Sequence, residues 1–215
     1  FLDSRHKKII KKYIKITKEI VKDAEKIYNK FKGKKVMGIC FRGSDSKKNA
    51  YQLHVPTYKQ MLFATNSLLK KHKFDKIYLC TEDIDYLKFY KNKYGNKVIY
   101  NNSPRTTDAI DLFNYDEKSH RYKVGRGNLV DMLVLGRTNY LLFGVSNIPY
   151  TAIFFSKQKK IAHSIIDNGM KGGIFISQIS YFIRKLLPSF LGGFKNHIIT
   201  KDKLIRLKKS DFEII

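Results

Sequence analysis

The 215-residue chain is 43% hydrophobic and carries 43 Lys and Arg against 18 Asp and Glu, a formal net charge of +25. It is long enough for one good core, or for a domain with an appendage, and its apolar fraction is ordinary for a globular protein. No apolar run is long enough to span a membrane, and there is no signal peptide, no zinc-ligand spacing and no aromatic RNA-binding signature.

A charge of this size admits nucleic acid, an anionic membrane surface or an anionic substrate as partner. The excess is mostly Lys, spread along the chain among Ile, Asn and Tyr. Such a spread fits a compositional bias as well as it fits a patch, so no nucleic-acid groove is expected, and peripheral membrane contact stays open. Two cysteines, Cys40 and Cys80, fall at the ends of two predicted strands. They imply no disulfide framework, and a reducing, cytoplasmic setting is expected. Because the chain starts at Phe1 rather than Met, it is expected to be a fragment.

In chain order, Ile9, Ile10, Tyr13, Ile16, Ile20, Val21, Ala24, Ile27, Tyr28 and Phe31 recur at helical spacing over residues 6–31. Residues 1–33 are therefore read as one amphipathic helix, packed on its own domain or on a neighbour. Val36 to Phe41 is an apolar, β-branched run that reads as a buried strand. It stops at Arg42-Gly43-Ser44-Asp45. A polar loop follows, and His54-Val55-Pro56-Thr57 opens a helix. Ile77 to Cys80 is a second strand, ended by Thr81-Glu82-Asp83. A short helix leads to a third strand at Val98 to Tyr100.

Residues 101–125 lack a clean period and read as a long functional or mobile loop. Asn128 to Arg137 reads as a helix, Tyr140 to Phe143 as a fourth strand ending in Gly144-Val145-Ser146-Asn147, and Tyr150 to Phe155 as the start of another helix. Strands alternating with helices predict a Rossmann-like parallel sheet with helices on both faces over residues 34–155. From 156 to 215 Gly and Pro punctuate short segments, and this part is read as a helical appendage.

In an open parallel sheet the carboxyl ends of the strands share one edge, where ligands bind. Three polar clusters are predicted there: Arg42-Gly43-Ser44-Asp45, Glu82-Asp83 and Ser146-Asn147. Arg42 beside Gly43 suits a phosphate, and helix N-termini attract anions. Each cluster also has a plain structural reading: Arg42 paired with Asp45, and Ser146-Asn147 capping a helix. Gly125-Arg126-Gly127 lacks the dinucleotide spacing. The six His residues are scattered, so no zinc site is predicted. Glu82-Asp83 could hold a divalent ion, but with Arg42 available for phosphate charge a metal is not required.

The order of an apolar strand, Arg-Gly-x-Asp, a His-x-Pro helix start, Phe-Asp-Lys-Ile-Tyr-Leu-Cys-Thr-Glu-Asp, and Leu-Val-Asp-Met-Leu-Val-Leu before a Tyr-Leu-Leu strand resembles the donor half of the α-1,6-fucosyltransferase, nodulation fucosyltransferase and protein O-fucosyltransferase group. The resemblance covers roughly residues 34–155, about one domain. It implies the C-terminal half of a GT-B fold, with an N-terminal domain elsewhere. It further implies GDP-fucose as donor, a glycan hydroxyl as acceptor, inversion at the sugar carbon and no metal. By position, Arg42 would grip the β-phosphate, and Glu82 and Asp83 match the acidic pair after the second strand. Asp131 would read guanine, and Ser146-Asn147 falls where two serines contact the donor. Three departures stand out. The family's His two residues before the arginine is Cys40, its frequent second arginine is Gly43, and the acidic residue sometimes proposed as base has no match, with Ala50 nearby. The expected function is thus a nucleotide-sugar glycosyltransferase. The competing class is a Rossmann-type binding domain with a basic surface for RNA or anionic membrane.

Overall fold

A computed structural model describes residues 4–42, 55–106, 119–158 and 161–168, with parts of 179–206. Two helices, α1 (Ser4–Tyr13) and α2 (Lys18–Tyr28), precede strand β1 (Val36–Phe41). Then come α3 (Tyr58–His72), β2 (Lys76–Thr81), α4 (Ile84–Tyr94), β3 (Val98–Tyr100), α5 (His120–Leu135), β4 (Tyr140–Gly144), α6 (Asn147–Phe155) and β5 (Ala162–Ile166). Two short strands, β6 (Ile198–Thr200) and β7 (Ile205–Arg206), follow. The sheet order is β3-β2-β1-β4-β5-β6-β7. Its first five strands are parallel, and β6 and β7 run antiparallel.

The central strand shows why the sheet is two-sided. Val36 and Cys40 join one buried cluster, with Tyr78, Cys80, Phe143 and residues of α2, α5 and α6. Met37, Ile39 and Phe41 join the other, with Met61, Leu68, Tyr86 and Tyr90 of α3 and α4. All six residues of β1 are buried, as a strand covered on both faces requires. Gly38 lets the end of α5 come close: a Cβ there would stand 2.9 Å from the Leu135 side chain and 2.8 Å from those of Thr138 and Leu141.

Helix ends are set locally. Thr57 caps α3 through a capping box, its hydroxyl accepting from the Gln60 amide at 3.1 Å while Gln60 accepts from the Thr57 amide at 2.9 Å. Lys73 closes α3 in the left-handed region at φ 47°. The N-terminal helix packs on its own domain: Ala24, Ile27 and Phe31 enter the core, Arg126 bonds Asp23 at 2.6 Å, and Arg137 bonds Glu25 at 2.5 Å.

The structure corrects four boundaries. The helix predicted over 6–31 is broken at residues 14–17. Ile14, Ile16 and Thr17 are β-branched there, and Thr17 is extended at the N-cap of α2. The helix predicted to begin at Asn128 begins at His120. The stretch 101–125 read as loop for want of a clean period, and its end is helical; Gly127 faces Ser103, whose Cβ would lie 2.5 Å from any added methyl. Residues 162–166, placed in the helical appendage, are the fifth parallel strand, and β6 and β7 extend the sheet further. Polar His163 and Ser164 hid β5; Ser164 is buried and shares a 2.7 Å hydrogen bond with Tyr140. Among the described residues no helix is long and apolar enough to cross a membrane.

Candidate functional site

The strand order turns at β1. From β1 the chain builds outward to β2 and β3, then returns to lay β4 on the other side of β1. The strand order therefore reverses between β1 and β4, and the carboxyl edge at such a reversal is where open α/β sheets take ligands. Arg42 is the first residue past β1 and is exposed. Cys40 pairs with Cys80 on one side and Phe143 on the other. Two steps further along those registers, Arg42 stands level with Glu82 and Val145. Side chains alternate along β1, so Arg42 belongs to the Cys40 face. Gly43 and Asp45 lie outside the described residues.

On the β4 side, Ser146 holds the N-cap position of α6 in extended backbone, yet its side chain makes no capping bond. Its hydroxyl oxygen is shielded from solvent and has no hydrogen-bond partner among the described residues. Asn147 is the first residue of the helix and is exposed. A hydroxyl with no partner among the described residues, at a helix start on the carboxyl edge of the sheet, is one that an anion would satisfy. Gly144 brings the α3 entry to the same place, because a Cβ there would come within 2.6 Å of the Pro56 ring. Asn168, beyond β5, fixes that entry. It exchanges amide bonds with Gln60 at 2.9 and 3.1 Å and donates to the Val55 carbonyl at 3.2 Å.

The acidic pair after β2 divides in two. Asp83 is buried and caps α4: its carboxylate accepts from the Asp85 and Tyr86 amides at 3.0 and 2.9 Å and from the Tyr58 hydroxyl at 2.5 Å. Burial and this carboxylate together push the Tyr58 phenol well up. Glu82 is half-buried, and its carbonyl accepts from the Thr106 amide at 3.0 Å, which ties the loop after β3 to this edge. Of the pair, Glu82 is the one whose carboxylate is not spent on a helix cap.

Asp131 lies on the Arg42 face of the sheet, not behind it: it is hydrogen-bonded to Tyr78, which clusters with Cys40 and Cys80. It is 3% exposed, and its carboxylate accepts from the Tyr78 hydroxyl. Burial pushes it up to about 6, against the pull of the Tyr78 bond and the Arg105 charge. Arg105 itself stacks on Tyr100 and donates to the Ser103 and Asn101 carbonyls at 3.0 and 2.5 Å. Tyr58, Tyr78, Arg105 and Asn168 were not predicted as site residues. Arg105 sat visibly in a polar loop and Tyr78 within the quoted strand motif, but no pattern marked Tyr78 as a partner of Asp131, and Tyr58 and Asn168 carry no motif. Among the described residues no three His, Cys, Asp or Glu side chains converge.

No protein-family model matches the chain, and no curated protein matches it in sequence. Its backbone is similar to that of the NodZ α-1,6-fucosyltransferase co-crystallised with GDP, at 16% identity and a TM-score of 0.52, over 80% of this chain and 53% of that one. A NodZ fucosyltransferase from Bradyrhizobium follows at 17% identity and 0.49, over 77% and 50%. POFUT1 in complex with GDP follows at 10% and 0.48, over 75% and 51%. The chain spans about half the length of the structures it matches. Its Rossmann-like fold is similar to that of about half of the NodZ fucosyltransferase chain.

Proposed function

We propose that this chain is the donor-binding part of a glycosyltransferase that moves fucose from GDP-fucose to a glycan hydroxyl, with inversion and without a metal. The observation that carries the reading is the reversal of strand order between β1 and β4. An exposed arginine follows one of these strands, and a hydroxyl with no partner among the described residues opens the helix after the other. In this reading negative charge grows on the β-phosphate as the glycosidic bond breaks. Arg42 and the first amides of α6 stabilise it, with Ser146 and Asn147 as further donors. The acceptor hydroxyl attacks from the opposite face, in a cleft completed by a second domain. Gly43 and Asp45 stay candidate donor residues by position alone, and Asp83 holds α4 rather than the ligand. Glu82 faces the donor. Asp131 reads guanine, which must compete with Tyr78 for the same carboxylate.

The net charge of +25 favours a second reading, a basic binding module for RNA or anionic lipid. Calorimetric titration separates the two. The transferase reading expects GDP to bind, UDP to bind less well, and Asp131→Asn to narrow that gap. Equal binding of unrelated polyanions, with a steep salt dependence and no nucleotide preference, would favour the module.

A further inference from the structure

The chain has two cysteines, and the fold sets them side by side. Cys40 and Cys80 are register partners on the parallel neighbours β1 and β2. Both are buried thiols, their side chains point to the same face of the sheet, and their sulfurs are 3.7 Å apart. Neighbouring strands lie about 4.8 Å apart, inside the roughly 4.4–6.8 Å Cα range that a disulfide spans. They stand two residues below Arg42 and Glu82, under the ligand edge.

We propose that Cys40 and Cys80 form a redox-sensitive modification site, which a small peroxide closes into an intramolecular disulfide tying β1 to β2. The buried position admits hydrogen peroxide more readily than a bulky disulfide oxidant. The neighbouring Cys40 sulfur and burial both push the Cys80 thiol well up, so Cys80 takes the resolving role and peroxide is met first by Cys40. Its sulfur attacks one peroxide oxygen, the O–O bond breaks, and the departing hydroxide takes a proton to become water. The Cys80 sulfur then attacks the Cys40 sulfenic acid, an S–S bond forms, and the second hydroxide leaves with the Cys80 proton. Two thiols and one peroxide give one disulfide and two waters; the sulfurs lose two electrons and the peroxide gains them. This site does not depend on what binds above it.

The test treats the whole chain with hydrogen peroxide, removes the excess, unfolds the protein and reads free thiols and intact mass. The expected result is loss of both thiols together with two hydrogens. A single peptide pair should join Cys40 to Cys80, a non-reducing gel should show a monomer, and dithiothreitol should recover both thiols. In Cys80→Ser, peroxide should instead add oxygen to Cys40. If that variant does not fold, the wild-type mass and peptide map still decide. Thiols that survive conditions oxidising a free dithiol peptide, oxygen added to each cysteine separately in the wild type, or a cross-link between two chains would each overturn the proposal.

Discussion

The Tyr78 hydroxyl donates a hydrogen bond to the Asp131 carboxylate, joining the centre of β2 to α5 in the interior below the ligand edge. Both residues are buried. The Asp131 carboxyl is raised from 3.8 to about 6, first by burial. Between those values the folded chain holds a proton that the unfolded chain has released, so stability falls as pH rises through the window. Denaturant unfolding from about pH 4 to about pH 7 should show a loss on the order of 3 kcal/mol from this group. Asp131→Asn keeps an acceptor for Tyr78 but cannot ionise, and should flatten that slope.

Tyr78→Phe removes the donor and leaves a buried carboxylate short of one hydrogen bond. The expected cost is about 1–3 kcal/mol at neutral pH, and less once Asp131 is protonated. The Asp131 titration, followed by carboxyl NMR, should move further up, because the Tyr78 bond favours the charged form.

Asp83→Ala should lower stability rather than nucleotide affinity. It strips the cap from two α4 amides and the partner from Tyr58. The loss of a cap is worth about 1–2 kcal/mol, and Asp83→Asn, which can still cap, should lose less. Urea midpoints paired with GDP titrations check the split.

Ser146→Ala should do the reverse. Its hydroxyl makes no capping bond, so the unfolding free energy should change by no more than about 0.5 kcal/mol. GDP affinity should fall roughly tenfold, the loss of one hydrogen bond to a charged group.

The parallel sheet and its ligand edge were readable because β1, β2 and β4 are continuous apolar runs that stop at polar clusters. Periodicity reports burial, and burial on both faces is what central strands have. The strand β5 was not readable, because His163 and Ser164 interrupt its apolar run and the partner that lets Ser164 be buried, Tyr140, comes from β4. The first turns of α5 were not readable because residues 120–127 carry no clean apolar period, and the close approach of Ser103 to Gly127 comes from a residue distant in sequence. At the site, Arg42 and Ser146 follow their strands and could be found by position. That Asp83 serves as a cap and Asp131 is buried under Tyr78 depends on side-chain packing, which spacing does not encode. The meeting of Cys40 and Cys80 likewise depends on the β1–β2 register.

The central claim is that Arg42 and the α6 start form a phosphate grip, and calorimetry of GDP with the wild type, Arg42→Ala and Arg42→Lys tests it most directly. The account predicts wild-type binding, a loss of roughly a hundredfold, about 3 kcal/mol, in Arg42→Ala, and partial recovery in Arg42→Lys, which restores charge without the planar fork. Unchanged GDP affinity in a folded Arg42→Ala protein, or no GDP binding by the wild type, would contradict it.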